Sequence, residues 1–144
     1  MKIAIVKSNF YSDLSANLLK GAKGEFIKQG GLDENIKIFD VPGAFEVPSA
    51  VSKILVDSSL KFDAVVTLGV LVKGETDHYE HISRSVTDRI SELSVDSSIP
   101  IVYGILTAQN MEQARDRCDL KSKNKGAEVM SAAIDMINCF KKVK

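Results

Sequence analysis

Residues 74–83 read Gly-Glu-Thr-Asp-His-Tyr-Glu-His-Ile-Ser, so two histidines and three carboxylates fall within ten positions. Histidine is the side chain that titrates nearest neutral pH and the commonest general acid–base group. Gly74 lets the backbone approach a ligand closely, and Thr76 or Asp77 can cap a helix that follows. Backbone N–H groups at a helix start bind anions, and the Thr76 hydroxyl adds a donor to a phosphate. His78 then falls in the first turn, within reach of the same ligand. A plain cap with a solvated His78 accounts for the same residues, and the stretch alone leaves both readings open. A third reading is a metal, held by His78 and His81 one turn apart with Asp77 and Glu80 nearby. These are the only two histidines in the chain, and no third strong ligand is recognisable elsewhere. We therefore expect no metal.

Other residues could join this site. Phe10 follows an apolar run and could stack on a flat heterocycle, or pack against a neighbouring helix. Glu46 follows Pro42-Gly43 and could fix a ligand amine or hydroxyl, or cap a first turn. Arg117 and Lys125 suit an anion or a plain charged surface. Cys118 could be a reactive thiol or a packing residue.

The elements that must position these residues follow from periodicity. Lys2–Val6 is a short β-rich run ending in the polar turn Ser8-Asn9. Leu14, Leu18, Ala22 and Phe26 recur every fourth residue and Leu19 widens that face, predicting a helix. Ser12 or Asp13 is its expected cap, and Gly30-Gly31 its stop. Ile36–Val41 is a second strand, ended by Pro42-Gly43. A second helix begins near Phe45–Pro48, where proline is tolerated, and carries Val51, Ile54 and Leu55 inward. Ala64–Val72 is near-continuously apolar, as suits a strand buried on both faces of a parallel sheet. A third helix covers roughly Glu80–Leu93, with Ile82, Val86, Ile90 and Leu93 on one face. A fourth strand spans Ile101–Leu106. A short helix near Met111–Cys118 and a long one from about Asn124 to Lys141 follow.

Strict strand–helix alternation predicts an α/β, three-layer, flavodoxin-like fold. Right-handed crossovers favour a four-stranded parallel sheet of order 2-1-3-4, flanked by helices. Ligands bind such sheets at the carboxyl ends of the strands, where strand order reverses. Ser8–Tyr11, Val41–Glu46 and Val72–His78 should meet there.

Composition narrows the partners. The 144 residues fit one domain, 1–144, and 44% are hydrophobic, enough for one core. The 19 basic and 19 acidic residues balance, with no basic stripe, so nucleic acid is not expected as a partner. The longest apolar run is about half a membrane span, so no membrane association is expected. The N-terminal run lacks a small-residue cleavage site and reads as a strand. Two isolated cysteines fit a reducing cytoplasm.

Four segments in order resemble one family. Val-Pro-Gly-Ala-Phe-Glu-Val-Pro at 41–48, Gly-Val-Leu-Val-Lys-Gly-Glu-Thr-Asp-His at 69–78, residues 103–117 and residues 124–136 are similar to the signatures of lumazine synthase. That family condenses 5-amino-6-(D-ribitylamino)uracil with 3,4-dihydroxy-2-butanone 4-phosphate to give 6,7-dimethyl-8-ribityllumazine, without metal or organic cofactor. The resemblance implies that Phe10 stacks on the pyrimidine and that Ala44, Phe45 and Glu46 hold the ribityl-pyrimidine. It implies that Val70, Leu71 and Val72 border the ring. Glu75 and Thr76 would receive the phosphate, with His78 as proton donor or shuttle. Tyr103 would close the pocket from a neighbouring subunit, and Arg117 and Lys125 would reach the phosphate from there, with Glu128 nearby. It also implies a homo-oligomer built of pentamers with shared sites, up to an icosahedral shell, and riboflavin synthase as a further partner.

The chain departs from the family pattern at several places. Asp77 stands where proline is usual, so it should point away from the phosphate or be offset by Lys73. Ser8-Asn9-Phe10-Tyr11 replaces Ala-Arg-Phe-Asn. Cys118-Asp119 and the Leu-Lys-Ser-Lys at 120–123 are atypical, and the chain starts directly at its first core strand. Two other readings stay open on the residues alone: a non-catalytic flavodoxin-like module that binds flavin or another ligand, and a hydrolase with a metal on His78 and His81.

Overall fold

The computed structural model describes residues 1–143 of the chain; Lys144, the last residue of the expected 1–144 unit, lies outside the described residues. The elements are β1 (Ile3–Ser8), α1 (Ser12–Lys28), β2 (Ile36–Val41), α2 (Val47–Val56), β3 (Ala64–Val72), α3 (His78–Asp96), β4 (Ile101–Val102), β5 (Ile105–Ala108), α4 (Met111–Cys118) and α5 (Lys125–Lys141). All strand pairs are parallel, and the order is β2-β1-β3-β4 with β5 also on β3. The fold is thus α/β and flavodoxin-like, in the expected order.

The expected fourth strand is broken in two and runs further, to Ala108. Val65 pairs with Ile101 and Gly69 with Ile105, so the register is the same on both sides of the break. The cause is Thr67. Its Oγ1 donates to the Val102 carbonyl at 2.9 Å and accepts the Gly104 N–H at 3.1 Å, so a side chain takes over part of the backbone ladder. A Cβ on residue 104 would lie 2.2 Å from the Thr67 carbonyl oxygen, so only glycine fits this approach.

The sheet separates two cores. Ile3, Ile5, Val66 and Leu68 meet Leu18 and Phe26 of α1, Cys118 of α4, and Met130 and Ile134 of α5. Ala4, Val6 and Val65 meet Val47, Val51 and Ile54 of α2 and Val86 and Ile90 of α3. Each fully buried aliphatic or aromatic side chain contributes about 1.5–3 kcal/mol. The predicted α1 face, Leu14, Leu18, Ala22 and Phe26, is buried throughout. In α3, Val86 and Ile90 are buried while Ile82 and Leu93 are half-buried.

Two helix starts differ from the sequence expectation. Tyr11 holds the N-cap position of α1, without a side-chain cap, and Ser12 and Asp13 lie inside the first turn. The Ser15 N–H already bonds the Tyr11 carbonyl at 2.9 Å, so the helix closes before either residue could cap it. Asp13 there still meets the positive end of the helix dipole. The third helix begins at His78, two residues before the expected Glu80, with Asp77 at the N-cap position.

Candidate functional site

A cavity of about 320 Å³ opens at the carboxyl ends of β1 and β3, near the lower bound of ligand clefts, roughly 300–1,000 Å³. It is walled by Phe10 and Tyr11 after β1, Gly43–Glu46 after β2, Val70–Val72 at the end of β3, and Gly74, Thr76, His78, Tyr79 and Ile82 beyond it. The three segments expected to converge therefore do converge.

Local chemistry builds each wall. Asn9 N–H donates to the Val41 carbonyl at 2.9 Å, which ties the tip of β1 to that of β2. The chain after β2 is extended at Gly43 and then turns through a 3-10 segment, Ala44–Glu46, closed by Glu46 N–H to Gly43 carbonyl at 3.2 Å. Pro48 in the first turn of α2 needs no N–H partner there. Past β3, Lys73 N–H donates to the Ala108 carbonyl at 2.9 Å, after which the chain leaves the sheet and enters α3. Thr76 Oγ1 accepts the His78 N–H at 3.3 Å. Threonine thus supports the helix start, while Asp77 makes no side-chain cap bond.

Phe10 and Phe45 flank the cavity and remain 71% and 60% exposed. Packing against a helix therefore does not account for Phe10; its ring stands edge-to-face with that of Tyr11, with centroids 5.0 Å apart. Glu46 turns its carboxylate toward Gly43, where an added Cβ would lie 3.2 Å from Oε1.

Of the residues singled out from sequence, Phe10, Ala44, Phe45, Glu46, Val70, Leu71, Val72, Thr76 and His78 line this cavity. Glu75, Tyr103, Arg117 and Lys125 do not line it within the same chain. Asp77 is exposed and is not part of the wall. Arg117 donates from a guanidinium nitrogen to the Thr107 carbonyl at 2.6 Å, and Lys125 pairs with Glu128 at 2.9 Å. Tyr103 OH lies 2.9 Å from Thr87 Oγ1. Thr87 already donates its one proton to the Ser83 carbonyl at 2.7 Å, so the tyrosine is the donor in this pair. Burial pushes the Tyr103 phenol upward, against the smaller lowering effect of Thr87.

His81 lies apart from His78, in a shallow depression with Glu80, Arg84, Ser85 and Asp88. Among the described residues no three His, Cys, Asp or Glu side chains converge as a metal-ligand set. Cys118 is buried in the core, and burial, with Asp13 adding to it, pushes its thiol up to about 11. Of the two readings of Cys118, burial favours the packing residue, and a thiol held neutral is a poor nucleophile.

Tyr79 and Ile82 also line the cavity, although the sequence sets Tyr79 just before the expected third helix and Ile82 on its inward face. The signal was available, because Ile82 stands one turn beyond both His78 and Tyr79. Among the described residues, no helix is long and apolar enough to cross a membrane. Comparison with known protein families adds a separate finding: a family model described as 6,7-dimethyl-8-ribityllumazine synthase matches residues 1–141.

Proposed function

The chain belongs to the 6,7-dimethyl-8-ribityllumazine synthase family, an enzyme family of riboflavin biosynthesis, and we propose that it condenses 5-amino-6-(D-ribitylamino)uracil with 3,4-dihydroxy-2-butanone 4-phosphate. The observation that carries this reading is the convergence of Phe10, the Ala44–Glu46 turn, the Val70–Val72 strand end, Thr76 and His78 on one cavity. The apolar rings and strand backbone suit a flat pyrimidine, and Glu46 suits its ribityl hydroxyls. The turn into α3 suits a phosphate, through the Thr76 hydroxyl and first-turn N–H groups.

The chemistry follows from that arrangement. An amine of the pyrimidine attacks the ketone and, with loss of a first water, gives an imine. Phosphate is then eliminated, and the ring closes with loss of water. His78, in the first turn of α3, is the one wall residue suited to move protons near neutral pH. Holding two substrates together supplies much of the remaining rate enhancement.

Among the described residues of one chain, no lysine or arginine lines the cavity. Arg117 and Lys125 of a second copy would supply the phosphate contacts, Glu75 would border them, and Tyr103 of that copy would close the pocket. Arginine's fork matches phosphate geometry. On the family resemblance, the active form is a homo-oligomer of pentamers, acting as a single-domain transferase in the cytoplasm, with riboflavin synthase as a partner. Mixing the purified protein with both substrates tests the reading: the lumazine product should accumulate, by its absorbance and fluorescence. No product above the uncatalysed rate would overturn it.

A further inference from the structure

Phe10 poses a problem of support. It is largely exposed, yet a stacking wall must hold its orientation before the ligand arrives. With 71% of it exposed and an edge-type contact with Tyr11 beside it, its position depends largely on the turn that carries it.

That turn is fixed by Lys7. The Lys7 ammonium donates to the Asn9 side-chain oxygen and pairs with Asp40 Oδ1 at 3.0 Å. Lys7 and Asp40 are direct register partners on β1 and β2, so the cation spans the two strand tips. The Asn9 N–H to Val41 carbonyl bond completes the clamp from the other side. Asn9 is thus held through both its backbone and its side chain, one residue before Phe10.

Stability alone is a weak reason for this arrangement. The Lys7 side chain is only 11% exposed, whereas Asp40 is 54% exposed. The ammonium loses hydration for a partner that remains mostly solvated, and such pairs contribute little.

We propose that Lys7 is a positioning residue for the aromatic wall of the cavity, acting through Asn9 and Asp40 to hold Phe10 toward the ligand. It touches no cavity surface itself. That it serves the pyrimidine pocket rests on the condensation reading above; that it orders Phe10 does not.

The chain contains no tryptophan, so Phe10→Trp gives a single reporter at the wall. In that background Lys7→Met should increase the amplitude of fast depolarisation and the access of acrylamide, while Lys7→Arg should leave both near the parent values. Asn9→Ala, which removes only the acceptor, should act like Lys7→Met, and decides the matter if Lys7→Met fails to fold. In the otherwise native protein, Lys7→Met should raise KM for the pyrimidine about three- to tenfold, as for one lost hydrogen-bonded support, with kcat little changed. Equal anisotropy and quenching in all variants would overturn the proposal, as would a lowered melting temperature with KM unchanged. A parent protein that forms no lumazine defeats the condensation reading instead, and the tryptophan measurement still tests Lys7.

Discussion

On the α1–α5 side of the sheet, a Cβ added at Gly126 would lie 2.0 Å from the Leu18 carbonyl oxygen, and one at Gly21 would lie 2.2 Å from Asn124 Oδ1. On the α2–α3 side, Phe10 and Phe45 stand 71% and 60% exposed around an open cavity. The same sheet backs both. One side has its helices pressed together until backbone meets backbone; the other leaves apolar surface and one histidine uncovered. The difference separates residues kept for the fold from residues free to serve a ligand. Substitutions on the two sides should therefore fail in different ways.

The largest effect should come from His78. It is exposed and supports no core contact, so His78→Ala should lower kcat by about 10²–10⁴, the usual range for a lost acid–base group. Steady-state kinetics with a thermal melt checks this; pyrimidine affinity and melting temperature should hold. Loss of affinity with turnover intact would contradict the proton-transfer role.

Gly126→Ala should do the reverse. The new methyl meets helix backbone rather than a flexible side chain, so the chain should lose about 1–3 kcal/mol of stability. Denaturant titration reads that loss, while kcat of the remaining folded enzyme should stay near the parent value. An equally large fall in kcat would break the distinction between the two sides.

The exposed rings come next. Phe10→Ala and Phe45→Ala should each weaken pyrimidine binding roughly three- to tenfold and change stability by no more than about 0.5 kcal/mol, since little of either ring is buried. Calorimetric titration and a melt separate these effects. A marked loss of stability would show that the rings belong to the core after all.

How much of this contrast the sequence discloses depends on which side is read. The four-residue spacing of Leu14, Leu18, Ala22 and Phe26, and the unbroken run Ala64–Val72, predicted the closed side and the central strand correctly, because burial writes a periodic pattern. Three strand-end segments fell at the cavity because topology dictates where they go. Other features depend on single side-chain bonds that periodicity does not carry. The break at Gly104 needs the Thr67 hydroxyl to replace a ladder bond. The start of α3 at His78 needs Thr76, not Asp77, to accept the first N–H. The depth of Cys118 in the core needs α4 folded against α1. Glu75 and Asp77 look alike to Thr76 in the sequence, yet neither lines the wall.

The smallest effect concerns that cysteine. At pH 8, a thiol reagent should label the exposed Cys139 quickly and leave the buried Cys118 untouched until the chain unfolds. The raised folded-state value also sets a pH trend. Folding keeps the proton on Cys118, so this contribution to stability is present below the ordinary thiol range, about 8.5. It is lost as pH rises from there through about 11. Denaturant midpoints across that range should fall more steeply for the parent than for Cys118→Ala.

The central claim is that the cavity beside α3 holds the pyrimidine. A crystal structure with an unreactive analogue of 5-amino-6-(D-ribitylamino)uracil tests it most directly. The ring should lie against Phe10 and the Val70–Val72 backbone, with the ribityl chain near Glu46 and His78 facing the reacting amine. An analogue bound elsewhere, with this cavity empty, would contradict the account.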